Sequence, residues 1–117
     1  MKKPTKKSLK NKLDKEVSRI VRARGRCAKC GKEEYEHLQT AHIFSRSNLA
    51  TRWDLLNCLC LCDGCHFWSH KNPTLFTDFV VNYLAHNYIP LKLRATSIKK
   101  WTLEELQELL TQLKGVV

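Results

Sequence analysis

Six cysteines and five histidines stand in this 117-residue chain, and their spacing sorts them into groups with different chemistry. Cys27 and Cys30 form one Cys-x-x-Cys pair and Cys62 and Cys65 a second, with 31 residues between the pairs. Each pair lets two thiolates meet one ion, and two pairs complete a tetrahedron, the closed donor set of a structural zinc site. Cys60 is an alternative fourth ligand, but Cys62-x-x-Cys65 has the better knuckle spacing, with Gly64 inside its turn. Cys58 and Cys60 read as packing residues, because a free cysteine behaves as a small hydrophobe.

The histidines offer an open site instead. His66 follows the last cysteine and His70 lies four residues on. On a helix those positions share a face, so both imidazoles can meet one cation. Two neutral ligands leave coordination positions open, which four thiolates do not. His42 ends a strand-like segment, and an imidazole titrates near neutrality, as a general base must. Asn57 stands just before the second cysteine run. His37 and His86 fit no such frame and read as surface residues.

Ala41-His42-Ile43, followed by Asn57-x4-Cys62-x2-Cys65-His66, resembles the HNH (ββα-metal) motif of zinc-stapled phage and bacterial endonucleases. The stretch from Ala41 to Pro73 is also similar to phage recombination nucleases of the NinG/Rap type, where an arginine–aromatic–aspartate precedes the asparagine, as Arg52-Trp53-Asp54 does here. The resemblance covers about residues 24–76. It implies that His42 is the general base that deprotonates water. Asn57 would hold the loop bearing that histidine. His66 would bind a catalytic divalent cation, magnesium or manganese, with zinc or nickel as further choices. His70 would be its second ligand, as in the subset with a His-x3-His helix. The chain departs from the pattern at Ala41, where many members carry an acidic or histidine ligand.

The elements that position these groups are legible in outline. Leu9, Leu13, Val17, Ile20 and Val21 recur every three or four residues, which predicts an amphipathic helix over 8–24, capped by Ser8 and stopped near Gly25. Residues 38–44 read as a strand, 45–57 as an irregular loop and 58–62 as a buried extended segment. A short helix from Asp63 carries Cys65, His66 and His70. Asn72-Pro73 opens another, from about Thr74 to His86, with Phe76, Phe79, Val80, Tyr83 and Leu84 inward. Residues 87–100 read as irregular, and Thr102-Leu-Glu-Glu105 as the capping box of a last helix ending near Gly115. The fold class is therefore α+β, mainly helical. It is a single domain over 8–117, with a small zinc-stapled ββα core between a basic N-terminal helix and C-terminal helices (77–117), preceded by a disordered basic arm over 1–7.

Charge points to the partner. Lysine and arginine total 21 against 11 acids, and eleven of those bases, with only two acids, lie in residues 1–26. Such a segment is drawn to a polyanion, and nucleic acid is the usual one. Lys10, Arg19, Arg22, Arg24 and Arg26, with Arg46 and Arg52 from the loop, are the expected phosphate contacts. Arg52 has a structural alternative in pairing with Asp54, and Trp53 reads as a packing residue. No apolar run approaches the roughly 20 residues of a membrane helix, so the expected setting is a reducing, cytoplasmic one in which cysteines hold metal. The expected function is metal-dependent cleavage of duplex or branched DNA, in phage or mobile-element processing. The alternative is a non-catalytic, zinc-stapled DNA-binding accessory protein with a decayed site.

Overall fold

The computed structural model describes residues 3–116. Helix α1 spans Lys6–Arg22 and β1 spans Leu38–His42. Strand β2 (Cys58–Cys62) runs directly into α2 (Asp63–Lys71), followed by α3 (Pro73–Leu84), α4 (Tyr88–Ala95) and α5 (Leu103–Lys114). The two strands pair antiparallel with Leu38 opposite Cys62 and His42 opposite Cys58. The molecule is a small α+β fold in which helices cover a two-stranded sheet.

Helix α1 begins earlier than its apolar stripe suggests. Thr5, not Ser8, is the N-cap: its hydroxyl accepts from the Ser8 backbone N–H at 3.1 Å. Ser8 Oγ in turn accepts from the Thr5 N–H at 3.1 Å. This reciprocal pair satisfies two donors that a helix start leaves free, so Lys6 and Lys7 are helical rather than part of a disordered arm. Met1 and Lys2 of that arm lie outside the described residues. Leu9, Leu13, Val17 and Val21 are buried, Ile20 only partly, and the stripe packs on α5 through Leu106, Leu110 and Leu113. Each fully buried side chain of this kind contributes about 1.5–3 kcal/mol. Gly25 turns the chain out of the helix at φ +82°, a conformation glycine adopts without strain.

Two differences lie in the C-terminal half. Residues 88–95, expected to be irregular, form α4, because Pro90 sits in its first turn, where no N–H is needed, and Leu91 and Ala95 are buried one turn apart. Helix α3 stops at Leu84, where Ala85 takes φ +50°. Val80 and Leu84 form its buried stripe, with Phe76 and Phe79 partly covered, but Tyr83 faces outward and is 50% exposed. The capping box of α5 is present, with Glu105 N–H donating to Thr102 Oγ1 at 3.1 Å and Thr102 N–H to Glu105 Oε1 at 3.0 Å.

Candidate metal centre and histidine cavity

The cysteine site is built by local turns. Cys27 N–H donates to the Lys32 carbonyl at 2.8 Å, and Gly31, at φ +81°, closes the knuckle. The Ala28 N–H ties that knuckle to β2 through the Cys60 carbonyl at 2.7 Å. Cys62 ends β2 and caps α2, its sulfur accepting from the Cys65 N–H at 3.4 Å, as Cys27 Sγ accepts from the Cys30 N–H at 3.5 Å. The sulfurs of Cys27, Cys30, Cys62 and Cys65 all lie within 4.8 Å of one another, and those of Cys30 and Cys62 are 3.6 Å apart. A tetrahedron with metal–sulfur bonds of about 2.3 Å has edges of about 3.8 Å. The donor set therefore fits a structural metal such as zinc, with Cys62 rather than Cys60 as the fourth ligand.

The thiols differ electrically. Burial opposes ionisation of Cys27, but backbone hydrogen bonds around Cys30, Cys62 and Lys29 outweigh it and bring the thiol down to about 6. Burial and the crowding of its three neighbours push Cys65 up. Outside the cluster, burial pushes Cys58 up to about 12 and raises Cys60. Both stay protonated and pack in the core.

His42 ends β1. Its Nε2 lies 3.2 Å from the Arg52 carbonyl. A carbonyl only accepts, so this contact puts the proton on Nε2 and leaves Nδ1 as a free acceptor. Burial holds the pKa of His42 below the ordinary imidazole value, only partly countered by that same hydrogen bond. The loop after His42 is fixed by Asn57, whose side chain is fully buried. Asn57 Oδ1 accepts from the Phe44 N–H at 2.8 Å, and Nδ2 donates to the Phe44 and Thr51 carbonyls, each at 3.1 Å. The Asn57 carbonyl also accepts from the Ile43 N–H at 2.8 Å.

Helix α2 presents His66 and His70 on one face, with ring centroids 4.8 Å apart. His66 Nδ1 meets Gln39 Oε1 at 2.6 Å, which assigns that nitrogen the proton and leaves Nε2 with its lone pair. Burial, with His70 alongside, lowers the His66 pKa. His42, His66 and His70 line one cavity of about 570 Å³, together with Thr40, Arg46 and Phe76. Gln39 and Ala41 alternate onto the same sheet face, so Ala41 lies on the side that faces α2, where its methyl group provides no ligand.

Two contributors escape sequence reasoning, Gln39 and Asp14. Asp14, on α1, accepts from Arg52 Nη2 at 2.6 Å and Nε at 3.1 Å, from Arg46 Nη2 at 2.8 Å and from Trp53 Nε1 at 2.9 Å. Burial would raise its pKa, but the Arg52 and Trp53 hydrogen bonds outweigh it and hold the carboxyl below the usual range. Arg52 thus pairs with Asp14, while Asp54 pairs with Arg94 at 2.8 Å. The only signal for Asp14 in the sequence is that it is one of two acids in a strongly basic segment.

The expected phosphate contacts on α1 and just after it are largely occupied by protein carbonyls. Arg19 donates to Leu113 and Val116, Arg22 to Leu38, and Arg24 to Cys58 and Leu55. Arg26 lies over Gly31, where an added Cβ would stand 2.8 Å from its Nη2. Lys10 is half-buried and, among the described residues, has no acid within 4.0 Å. Trp53 is buried edge-on against Trp101, with centroids 5.6 Å apart. Among the described residues no helix is long and apolar enough to cross a membrane.

No protein-family model, curated protein sequence or solved structure matches this chain.

Proposed function

We propose that the chain is a metal-dependent endonuclease of the HNH (ββα-metal) type that hydrolyses phosphodiester bonds in DNA. The observation that carries this reading is the convergence of His42, His66 and His70 on one cavity, with hydrogen bonds selecting a tautomer for His42 and His66. His42 Nδ1 takes a proton from the attacking water, and its depressed pKa keeps it unprotonated at neutral pH. Asn57 positions the loop that follows. His66 Nε2 and His70 fit a divalent cation, magnesium or manganese before zinc or nickel, and Gln39 orients His66 for it. Such a cation, when bound, offsets charge on the scissile phosphate and on the leaving oxygen. The four cysteines hold the scaffold together through a structural zinc.

Ala41 favours a second reading, a non-catalytic zinc-stapled module that binds DNA. It places a methyl group on the α2-facing side, where a carboxylate would complete a stronger cation site. One experiment separates the two. Supercoiled plasmid is incubated with the protein or with His42→Ala, with and without magnesium or manganese. Nicked or linear product that needs both the cation and His42 supports the nuclease. Salt-sensitive DNA binding without cutting, on both plasmid and branched duplexes, supports the binding module.

A further inference from the structure

A second cavity, of about 410 Å³, lies at the β2 edge of the sheet and is lined by the cysteine knuckle and by Tyr83 of α3. Strand β1 lines the histidine cavity through Thr40, whereas this one reaches β2 through Cys60, the cross-strand partner of Thr40. Its volume is within the about 300–1,000 Å³ typical of small-ligand sites. Arg24, Arg26 and Lys29 converge on it, and among the described residues none of the three has an acid within 4.0 Å.

Two of these cations have partners that position them. Arg24 is fixed by the Cys58 and Leu55 carbonyls, at 2.7 and 3.2 Å, and meets no carboxylate; the anionic groups beside the cavity are the thiolates of Cys27 and Cys30. The Arg26 guanidinium lies over Gly31. Lys29 Nζ stands 4.3 Å above the Trp68 ring. Tyr83 forms the opposite wall, half exposed and stacked on Phe79 with centroids 5.7 Å apart and planes 25° apart. A flat, supported ring beside cations that no carboxylate pairs suits a ligand that carries a phosphate and a planar base together.

We propose that this cavity is a nucleoside-phosphate site, with the phosphate toward Arg26 and Lys29 and the base on Tyr83. The ligand is either a free nucleotide or a nucleotide of an unpaired strand. The inference does not depend on the nuclease reading, since binding here uses none of His42, His66 or His70.

The test is fluorescence anisotropy with the full-length, zinc-loaded protein and a labelled single-stranded oligothymidylate, without added magnesium or manganese. Tyr83→Ala is expected to weaken binding about tenfold, and Tyr83→Phe, which keeps the ring, to bind like the parent. Arg26→Gln is expected to weaken binding and reduce the slope of log affinity against log salt by about 0.7. Zinc content and melting of each variant establish that the fold is intact. Displacement by thymidine monophosphate assigns the site to a free nucleotide, and displacement only by unlabelled strand assigns it to an unpaired strand. Parent-like binding by Tyr83→Ala overturns the proposal. So does equal loss on duplex DNA, or equal displacement by polyglutamate, because the surface would then respond to charge alone.

Discussion

The two edges of the sheet treat their arginines in opposite ways. Beside the histidine cavity, Arg46 and Arg52 share the carboxylate of Asp14. Beside the knuckle, Arg24, Arg26 and Lys29 surround a cavity with no acid among them. At the β1 edge two arginines share one carboxylate in a hydrogen-bonded scaffold for placing imidazoles, whereas at the β2 edge the cations meet no carboxylate and adjoin the sulfurs of Cys27 and Cys30. Net charge read from sequence does not distinguish these cases, because what matters is which carboxylate each cation meets.

The largest effect expected is on the knuckle edge. Cys30→Ser removes one of four sulfurs, and because binding of a structural metal is folding energy, the variant should lose both zinc and its cooperative melting transition. Metal analysis and calorimetry check this, and a normal melt without metal would detach the knuckle from the fold. Next is Gln39→Leu, on the histidine edge. Losing the acceptor that orients His66 should cost about 10–100-fold in affinity for the added divalent cation or in cutting rate, with the melting temperature little changed. Titration of plasmid nicking against manganese measures it.

Asp14→Ala should destabilise by about 1.5–3 kcal/mol, the range for hydrogen bonds to a charged group. Because the native carboxyl is held below its unfolded pKa, that contribution is present above about pH 4 and fades as pH falls further. Urea denaturation of variant and parent at neutral and acidic pH tests both parts. A smaller effect concerns pH dependence of cutting. Since burial lowers the His42 pKa, activity should rise through an inflection below about 6.5 and be flat through neutrality. An inflection above that value would assign the base to another group.

What was legible in the sequence followed short-range rules. Paired cysteines, the i, i+4 histidines, the Thr102 capping box and the stripe of α1 all express local periodicity or turn chemistry, and all appear in the structure. Helix α4 escaped because Pro90 reads as a breaker unless its place in the first turn is known. Tyr83 reads as inward because its spacing matches the apolar stripe, but the narrow contact made by α3 admits only Val80 and Leu84 fully. Asp14 and Gln39 act across separations of 38 and 27 residues. No local pattern carries such contacts. The endonuclease reading starts from the resemblance carried by Ala41-His42-Ile43, Asn57 and Cys62-x2-Cys65-His66, which is a matter of order and spacing rather than of these local rules.

The reach of Asp14 also bears on how far the motif can travel. Residues 24–76 contain every cysteine and each histidine of the cavity, and look like a portable cassette. Yet the loop that places the Arg52 carbonyl against His42 is pinned from α1, outside that stretch. Grafted into another host, the cassette would bring its ligands but not its anchor. It would need an acid supplied from the new surroundings at the same spot, so the working structural unit is the motif together with one turn of a neighbouring helix.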